Sequence, residues 1–318
     1  MDLRVRGGLV VDGTNLTGAT GIAVQGNYAY VVGAAMNKMT VIDISNKASP
    51  VVAGGGTATV AITGASKLDV EGNYAYVVSA ATDTLTIVDI SNPAAPVIAG
   101  SGSGVLSDST NMDAPAYVRV QGNYAYVTAT TANRFVVVDV SNPASPVIAN
   151  GGAAIVHDDF YIGSVSGLVV AGNFAYTSTL THNSSAIVSV VDISDPLNPF
   201  ITAAVRHDQV FLSDIRSLAK SGKYLVFAAS GTNRVGTQEL ILDYQTGAPC
   251  SVAGQIYYDS GSKNLMWCDG SNLHGTAYAA GGTSGCTSPA AQEGALAYDS
   301  ANAVYQFCDG NRWVRIGK

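Results

Sequence analysis

Two histidine–aspartate pairs, His157-Asp158 and His207-Asp208, stand 50 residues apart. An imidazole beside a carboxylate is a combination that holds a divalent metal or moves a proton. Asp12 and Asp108 fall in the same register, 14 residues before a recurrent glycine, where the second copy has Ala58 instead. If the loops carrying them converge, Asp12, Asp108, His157, Asp158, His207 and Asp208 would share a divalent cation or a small ligand. No other cofactor is expected. The same residue types also occur in loops simply because they are solvated, and a wide ring would keep them too far apart for one ion. Nucleophile elbows, Walker loops and the His-Glu-x-x-His pattern are absent, and Gly102-Ser103-Gly104 reads as a loop rather than a phosphate cradle. The chain is therefore expected not to be an enzyme. Tyr117, Phe160, Tyr161 and Phe211, close to these loops, are of the type that stacks on a sugar or peptide, and equally of the type that fills space between sheets.

The elements that position these loops are repeats. Gly-Asn-Tyr-Ala-Tyr begins at Gly26, Gly72 and Gly122, returns as Gly-Asn-Phe-Ala-Tyr at Gly172 and fades to Gly-Lys-Tyr-Leu-Val at Gly222. The intervals are 46, 50, 50 and 50 residues, the length of an all-β repeat in a radial or stacked array. In the second copy, strands are expected at Ser66–Val70, Tyr74–Ser79, Leu85–Ile90 and Pro96–Ala99, separated by Glu71-Gly72-Asn73, Thr82-Asp83-Thr84 and Ser91-Asn92-Pro93. Four antiparallel strands per unit make a propeller blade. Asn37, Asp83, Asn133, Asn183 and Asn233 mark the second turn of each copy. Asp43, Asp89, Asp139, Asp192 and Asp243 close each third strand, either as a ring of metal-binding carboxylates or as side chains that cap their own turns. Tyr28, Tyr74, Tyr124, Phe174 and Tyr224 are expected to pack within or between blades.

Val-Ile-Asp-Ile-Ser-Asn (41–46), Ile-Val-Asp-Ile-Ser-Asn-Pro (87–93), Val-Val-Asp-Val-Ser-Asn-Pro (137–143) and Val-Val-Asp-Ile-Ser-Asp-Pro (190–196) resemble the LVIVD repeat. The resemblance covers roughly residues 1–248 and implies a bacterial or archaeal β-propeller, secreted or on the cell surface. The fifth copy departs, with Asp243-Tyr244-Gln245-Thr246-Gly247 in place of the phrase and no last strand. Gly8-Leu9-Val10-Val11 precedes the first blade as Val51-Val52-Ala53-Gly54 precedes the second, so the N-terminus is expected to supply that strand. Closure would remove two exposed edges. An open fragment of a larger ring is the alternative.

Beyond residue 249 a second duplication runs at a 40-residue offset: Gly254–Asp259 matches Gly294–Asp299, and Trp267-Cys268-Asp269-Gly270 matches Phe307-Cys308-Asp309-Gly310. All four cysteines lie here. Each half reads as a hairpin with one cysteine before it and one at its end, so the simplest pairing is Cys250 with Cys268 and Cys286 with Cys308, each bridge adding about 3 kcal/mol in the chain-entropy account. A zinc site is the alternative, though no Cys-x-x-Cys occurs. The Cys-Asp-Gly-x-x-Trp ending loosely resembles small modules from the tails of bacterial surface and phage fibre-like proteins.

The expected architecture is thus all-β: a five-bladed β-propeller over 1–248, closed by an N-terminal strand, then a small disulfide-stapled β-hairpin duplication over 249–318. Only 12% of residues are charged against about 25% in ordinary globular chains, net charge is −7, and the 16 lysines and arginines are scattered singly. Nucleic acid is not expected as a partner, nor is direct membrane insertion, since no apolar run approaches 18 residues. The disulfide-style cysteines point outside the cell or to its surface, any export signal having been removed or another route used. The expected function is a non-enzymatic binding or scaffold protein that meets a protein or glycan on a surface. The alternatives are a self-associating subunit of a virion appendage or extracellular filament, and a propeller hydrolase or lyase using the His-Asp loops.

Overall fold

The computed structural model describes residues 8–179, 186–207, 215–221, 224–230, 234–239, 256–259, 264–268, 273–275, 296–299, 304–308 and 313–316. The chain divides into two compact units, Met1–Glu239 and Leu240–Lys318. The boundary expected between 248 and 249 lies outside the described residues.

In the first unit each repeat builds its own antiparallel sheet. Repeat one runs Gly21–Gln25, Tyr28–Gly33, Lys38–Asp43. Repeat two runs Ala65–Glu71, Tyr74–Ser79, Thr84–Asp89, and repeat three Pro115–Gln121, Tyr124–Ala129, Arg134–Asp139. Repeat four has Val165–Ala171, Phe174–Thr179, Ala186–Asp192 and Phe200–His207. The turn glycines Gly26, Gly72, Gly122 and Gly172 all sit at φ between 59° and 62°, a backbone state that costs a residue without Cβ nothing. At the second turn, Asn37, Asp83 and Asn133 take φ of 50° to 52°, where asparagine and aspartate are the tolerated L-residues.

The fourth strand is not the single segment expected. In repeats one to three it comes in two pieces, Val51–Val52 with Thr59–Ala61, Val97–Ile98 with Val105–Ser107, and Val147–Ile148 with Ile155–His157. The two pieces pair with opposite ends of the same third strand. Between them the chain swings out through left-handed residues such as Gly54 and Gly55, at φ 61° and 67°. Each excursion clasps the next repeat. Ser103 Oγ donates to the Ala144 carbonyl at 2.8 Å, and Asn150 Nδ2 to the Leu197 carbonyl at 3.1 Å.

The core lies between consecutive sheets rather than within any one. Tyr30, Val32, Met39 and Val41 of repeat one pack with Leu68, Val77, Val88 and Ile90 of repeat two. The same positions of repeat two meet Val118, Val127 and Val138 of repeat three, and those of repeat three meet Leu168, Ala175 and Val191 of repeat four. The second aromatic of the repeated phrase is the buried one: Tyr30, Tyr76, Tyr126 and Tyr176 are 2–5% exposed, and burial raises the phenols of Tyr76 and Tyr126 to about 12. Tyr28, Tyr74 and Tyr124 flank the clusters as expected, half-buried. Tyr224 instead is exposed.

Two core positions among the described residues, Thr128 and Thr177, carry a polar atom without a partner. Thr128 Oγ1 is buried and makes no hydrogen bond, while its counterparts in repeats one and two, Val32 and Val78, each opposite the matching third-strand residue, are apolar. Replacing a buried, unpaired hydroxyl by a methyl of the same shape removes a desolvation cost. Thr128→Val is therefore expected to raise stability by about 1 kcal/mol in denaturant unfolding; a loss of stability would show that the hydroxyl has a partner after all.

Residues Ile215–Ser221, Tyr224–Ala229 and Arg234–Glu239 form a three-stranded fifth sheet. The expected closing ladder from residues 8–11 is not formed. Residues 8–12 have no strand assignment, and they are held by the first repeat: Gly8 N–H donates to the Lys47 carbonyl at 2.8 Å, and Val10 packs with Met36, Ile42 and Val52. The first strands of the repeats adjoin in the order one to five, but strand Ile215–Ser221 does not adjoin Gly21–Gln25 in the same way.

The second unit repeats at the expected offset, with one strand more per copy than a hairpin. Ile256–Asp259, Asn264–Cys268 and Leu273–Gly275 form one sheet, and Leu296–Asp299, Val304–Cys308 and Trp313–Ile316 the other. Cys268 and Cys308 end the second strands as read; Cys250 and Cys286 lie outside the described residues.

Candidate functional site

Three of the aspartates singled out by sequence, Asp12, Asp108 and Asp158, are turn caps. Asp12 Oδ1 accepts from the backbone N–H of Thr14 and Asn15 at 2.9 and 2.8 Å, and Oδ2 from Asn15 Nδ2 at 2.8 Å. Asp108 repeats the pattern with Thr110 and Asn111, and Asp158 with the N–H groups of Phe160 and Tyr161. Each also closes a helical turn through its carbonyl, accepting from Leu16, Met112 and Ile162. The hydrogen bonds from Asn15 and Thr14 hold the Asp12 carboxyl below its ordinary range. At Asp108 burial pushes the carboxyl up, and the bonds from Asn111 and Thr110, with Arg134 nearby, outweigh it and bring it down. A carboxylate whose lone pairs are spent on its own loop is a poor metal ligand. No group of three or more metal-ligating side chains occurs among the described residues.

Nor are the two histidines equivalent. His157 lies opposite Arg134 in its sheet and touches Asp159 at 3.2 Å. Repeat four has a longer hairpin and an unbroken fourth strand, which together make Arg206, opposite Ile187, the counterpart of that ladder position, and His207 falls one residue further, opposite Ala186. Asp208 and Phe211 lie outside the described residues. The acid missing from repeat two is explained too. The N–H of Ile62, Asp108 and Asp158 all donate to the turn residue 25 positions earlier, at Asn37, Asp83 and Asn133, so Ile62, not Ala58, is the structural counterpart. The next strand then begins at Ala65, against Pro115 and Val165. That loop is shorter, has no helical turn to cap, and needs no acid.

The ring of third-strand aspartates is likewise structural. Asp43, Asp89, Asp139 and Asp192 each accept the N–H two residues on, from Ser45, Ser91, Ser141 and Ser194, at 2.8–2.9 Å. Asp243 lies outside the described residues.

What the strands do bring together is a hollow of about 370 Å³ where the first strands of all five repeats begin. Thr20, Ser66, Lys67, Tyr117, Ser166 and Arg216 line it. Lys67 Nζ donates to the Thr20 carbonyl at 2.6 Å and stands 6.0 Å from the Tyr117 ring centroid, within the range of a cation–π contact. Arg216 Nε donates to Ser230 Oγ at 3.1 Å. Burial pushes the Tyr117 phenol up, against the opposing pull of Arg119 and Arg216, so it stays a neutral donor. The described lining of the hollow is rich in hydroxyls and carries the two cations Lys67 and Arg216. It holds none of Asp12, Asp108, His157 or Asp158. Of the described residues among those named from sequence for the site, Tyr117 is here.

A sequence signal for this site exists, and it is divergence. Five residues before the turn glycine, the otherwise uniform repeats read Gly21, Lys67, Tyr117, Gly167 and Ser217. Those residues occupy one ladder position, opposite Val32, Val78, Thr128, Ser178 and Ala228. A position that the architecture leaves free is where specificity is built.

Comparison with solved structures finds the fold at low identity. Over 81% of this chain and 72% of its own, a protein from Lactobacillus plantarum superposes with a TM-score of 0.56 at 12% identity. A candidate 6-phosphogluconolactonase from Bacteroides fragilis gives 0.53 at 12% identity, over 80% of this chain and 67% of its own. One from Bacteroides uniformis gives 0.51 at 11%, over 80% and 72%. No curated protein sequence matches the chain. The LVIVD repeat model matches residues 18–56, 64–102, 116–150 and 162–206. Those segments coincide with the first four sheets and their clasps, and the first unit of the chain is an LVIVD-repeat β-propeller.

Proposed function

We propose that the chain is a non-enzymatic binding protein of the cell exterior or cell surface, and that it takes an acidic group of a glycan or of a protein partner at the mouth of its propeller. The observation that carries this reading is the make-up of the hollow: a chain of net charge −7 places the cations of Lys67 and Arg216 beside Tyr117 around one opening. Such a local reversal of sign attracts carboxylate, sulfate or phosphate groups and repels the rest of the chain's own surface. The fifth sheet serves as a fifth blade, because it brings Arg216 to that opening. Disulfides Cys250–Cys268 and Cys286–Cys308 staple the second unit, in keeping with an oxidising location.

An array of acidic and neutral glycans and of protein ligands tests the reading. Binding is expected to favour acidic probes and to weaken with salt. A lost charge-assisted hydrogen bond costs about 1.5–3 kcal/mol, so Lys67→Ala and Arg216→Ala should each weaken binding by roughly 10- to 150-fold, with the thermal midpoint monitored as a check on folding. Selection of neutral probes, or indifference to both substitutions, overturns it.

A further inference from the structure

The hollow where the first strands begin offers hydrogen-bond acceptors beside its cations, and we propose that it takes an acidic sugar unit, one ring that carries an anionic group together with free hydroxyls. This rests on the reading above and narrows it, from an acidic group of either source to a glycan. The lining is built by β-bulges. Register breaks between Ala65 and Lys67 in repeat two, Pro115 and Tyr117 in repeat three, Val165 and Gly167 in repeat four, and Ile215 and Ser217 in repeat five. Ser66, Ala116, Ser166 and Arg216 are the residues the ladders skip, and all four line the hollow. Neighbours in a regular strand point to opposite faces, and a bulge re-aims one of them. Ser66 and Lys67 therefore line the same space although adjacent in the chain, as do Ala116 and Tyr117.

The hydroxyls of this lining turn their hydrogens away from the hollow. Thr20 Oγ1 donates to the Ser66 carbonyl at 3.0 Å, Ser66 Oγ to the Val78 carbonyl at 3.1 Å, and Thr130 Oγ1 to the Ala114 carbonyl at 3.0 Å. A carbonyl oxygen can only accept, so the direction of each bond is fixed. A hydroxyl has one hydrogen and two lone pairs. Thr20, which is exposed, and Ser66 and Thr130, which are half-buried, therefore meet a ligand as acceptors. Lys67 is the opposite case. Its ammonium group has three N–H and no lone pair, and the Thr20 carbonyl takes one of them.

Such a lining asks for two properties in one small body: an anion for Lys67 and Arg216, and O–H donors for Thr20, Ser66 and Thr130. An aspartate or glutamate side chain brings the anion and only acceptors. Set against these three hydroxyls it would oppose lone pair to lone pair and leave their acceptors unpaired, which costs affinity. A neutral sugar brings the donors without the anion. An acidic sugar brings both, its carboxylate or sulfate toward the two cations and its ring hydroxyls toward the three acceptors. At about 370 Å³ the hollow lies at the small end of ligand pockets, about 300–1,000 Å³, a size for a small ring rather than a folded segment.

Titration of the full chain with matched probes, followed by calorimetry or ligand-observed NMR, tests this. Glucuronate, galacturonate and N-acetylneuraminate carry both properties. Glucose and galactose lack the anion, cyclohexanecarboxylate has the ring and the charge without a hydroxyl, and N-acetylglutamate α-amide stands for an acidic protein side chain. At least one sugar acid is expected to bind about 10-fold or more tightly than every control. Ser66→Ala and Thr130→Val each remove one acceptor and should each weaken that sugar acid by roughly 2- to 12-fold, and cyclohexanecarboxylate by less, with the thermal midpoint followed as a check on folding. If cyclohexanecarboxylate or the glutamate amide binds as tightly as the sugar acids and Lys67→Ala weakens them all, the sugar is overturned and the acidic reading stands. Unchanged sugar-acid affinity in both Ser66→Ala and Thr130→Val overturns the sugar equally. Neutral sugars that bind as tightly as the acids, or no binding of any acid up to its solubility, overturn both.

Discussion

Phe135→Ala is expected to remove about 3–5 kcal/mol of stability, the usual cost of truncating a buried aromatic ring, and hence to lower the thermal midpoint by roughly 6–20 °C for a unit of this size. Phe135 is wholly buried, stacks on Tyr126 with ring centroids 6.0 Å apart and 28° between planes, and packs with Val156, Ile162 and Leu168. Those neighbours come from two sheets. The void left by alanine would open between repeats three and four, where neither sheet can close it alone, because each is fixed by its own ladders. The matching change at Val235, which lies opposite Ala228 as Phe135 lies opposite Thr128 and is 76% exposed, should move stability by no more than about 0.5 kcal/mol. Equal effects at the two sites would mean that the core does not lie between sheets.

How much of this was readable from the amino-acid order depends on the range of the physics. The hairpin turns were, because Gly26 and Asn37 answer a demand made by their own backbone dihedrals. The Asp43 and Asp89 caps were, since the N–H groups that donate to them are two residues away. The clasps were not. Gly-rich stretches after Val52 and Ile98 look like the end of a strand, and only the partner at Ala144, 41 residues from Ser103, shows that the strand resumes. The histidine register was not legible for the same reason. His157 and His207 share a 50-residue interval, but ladder register is set by what each strand faces, and the longer hairpin and unbroken fourth strand of repeat four together move it. Lys67, Tyr117 and Arg216 meet only because successive first strands adjoin. Their one local trace is a lack of repetition where everything around them repeats.

The clasp between repeats yields the second large effect. Gly54 sits at φ 61°, ψ 30°, and a Cβ added there would lie 2.3 Å from the Ala94 carbonyl oxygen of the next repeat. Gly54→Val meets two costs at once: about 1–2 kcal/mol for an L-residue in the left-handed region, and about 1–3 kcal/mol for forcing a branched side chain into a filled contact. A total of about 2–5 kcal/mol is expected in chemical unfolding. Asparagine separates the two contributions. Asn150 occupies the corresponding excursion of repeat three at φ 53°, and there its side chain donates to the Leu197 carbonyl. Gly54→Asn should therefore escape most of the backbone cost and keep only the steric one, falling between wild type and Gly54→Val. Because Ala94 belongs to the next sheet, the loss should also uncouple neighbours, so that repeat one unfolds before repeats two to four instead of with them. A single, unshifted transition for Gly54→Val would mean that the excursions are ornaments on each sheet and that burial of residues such as Met39, Leu85 and Phe135 alone binds one repeat to the next.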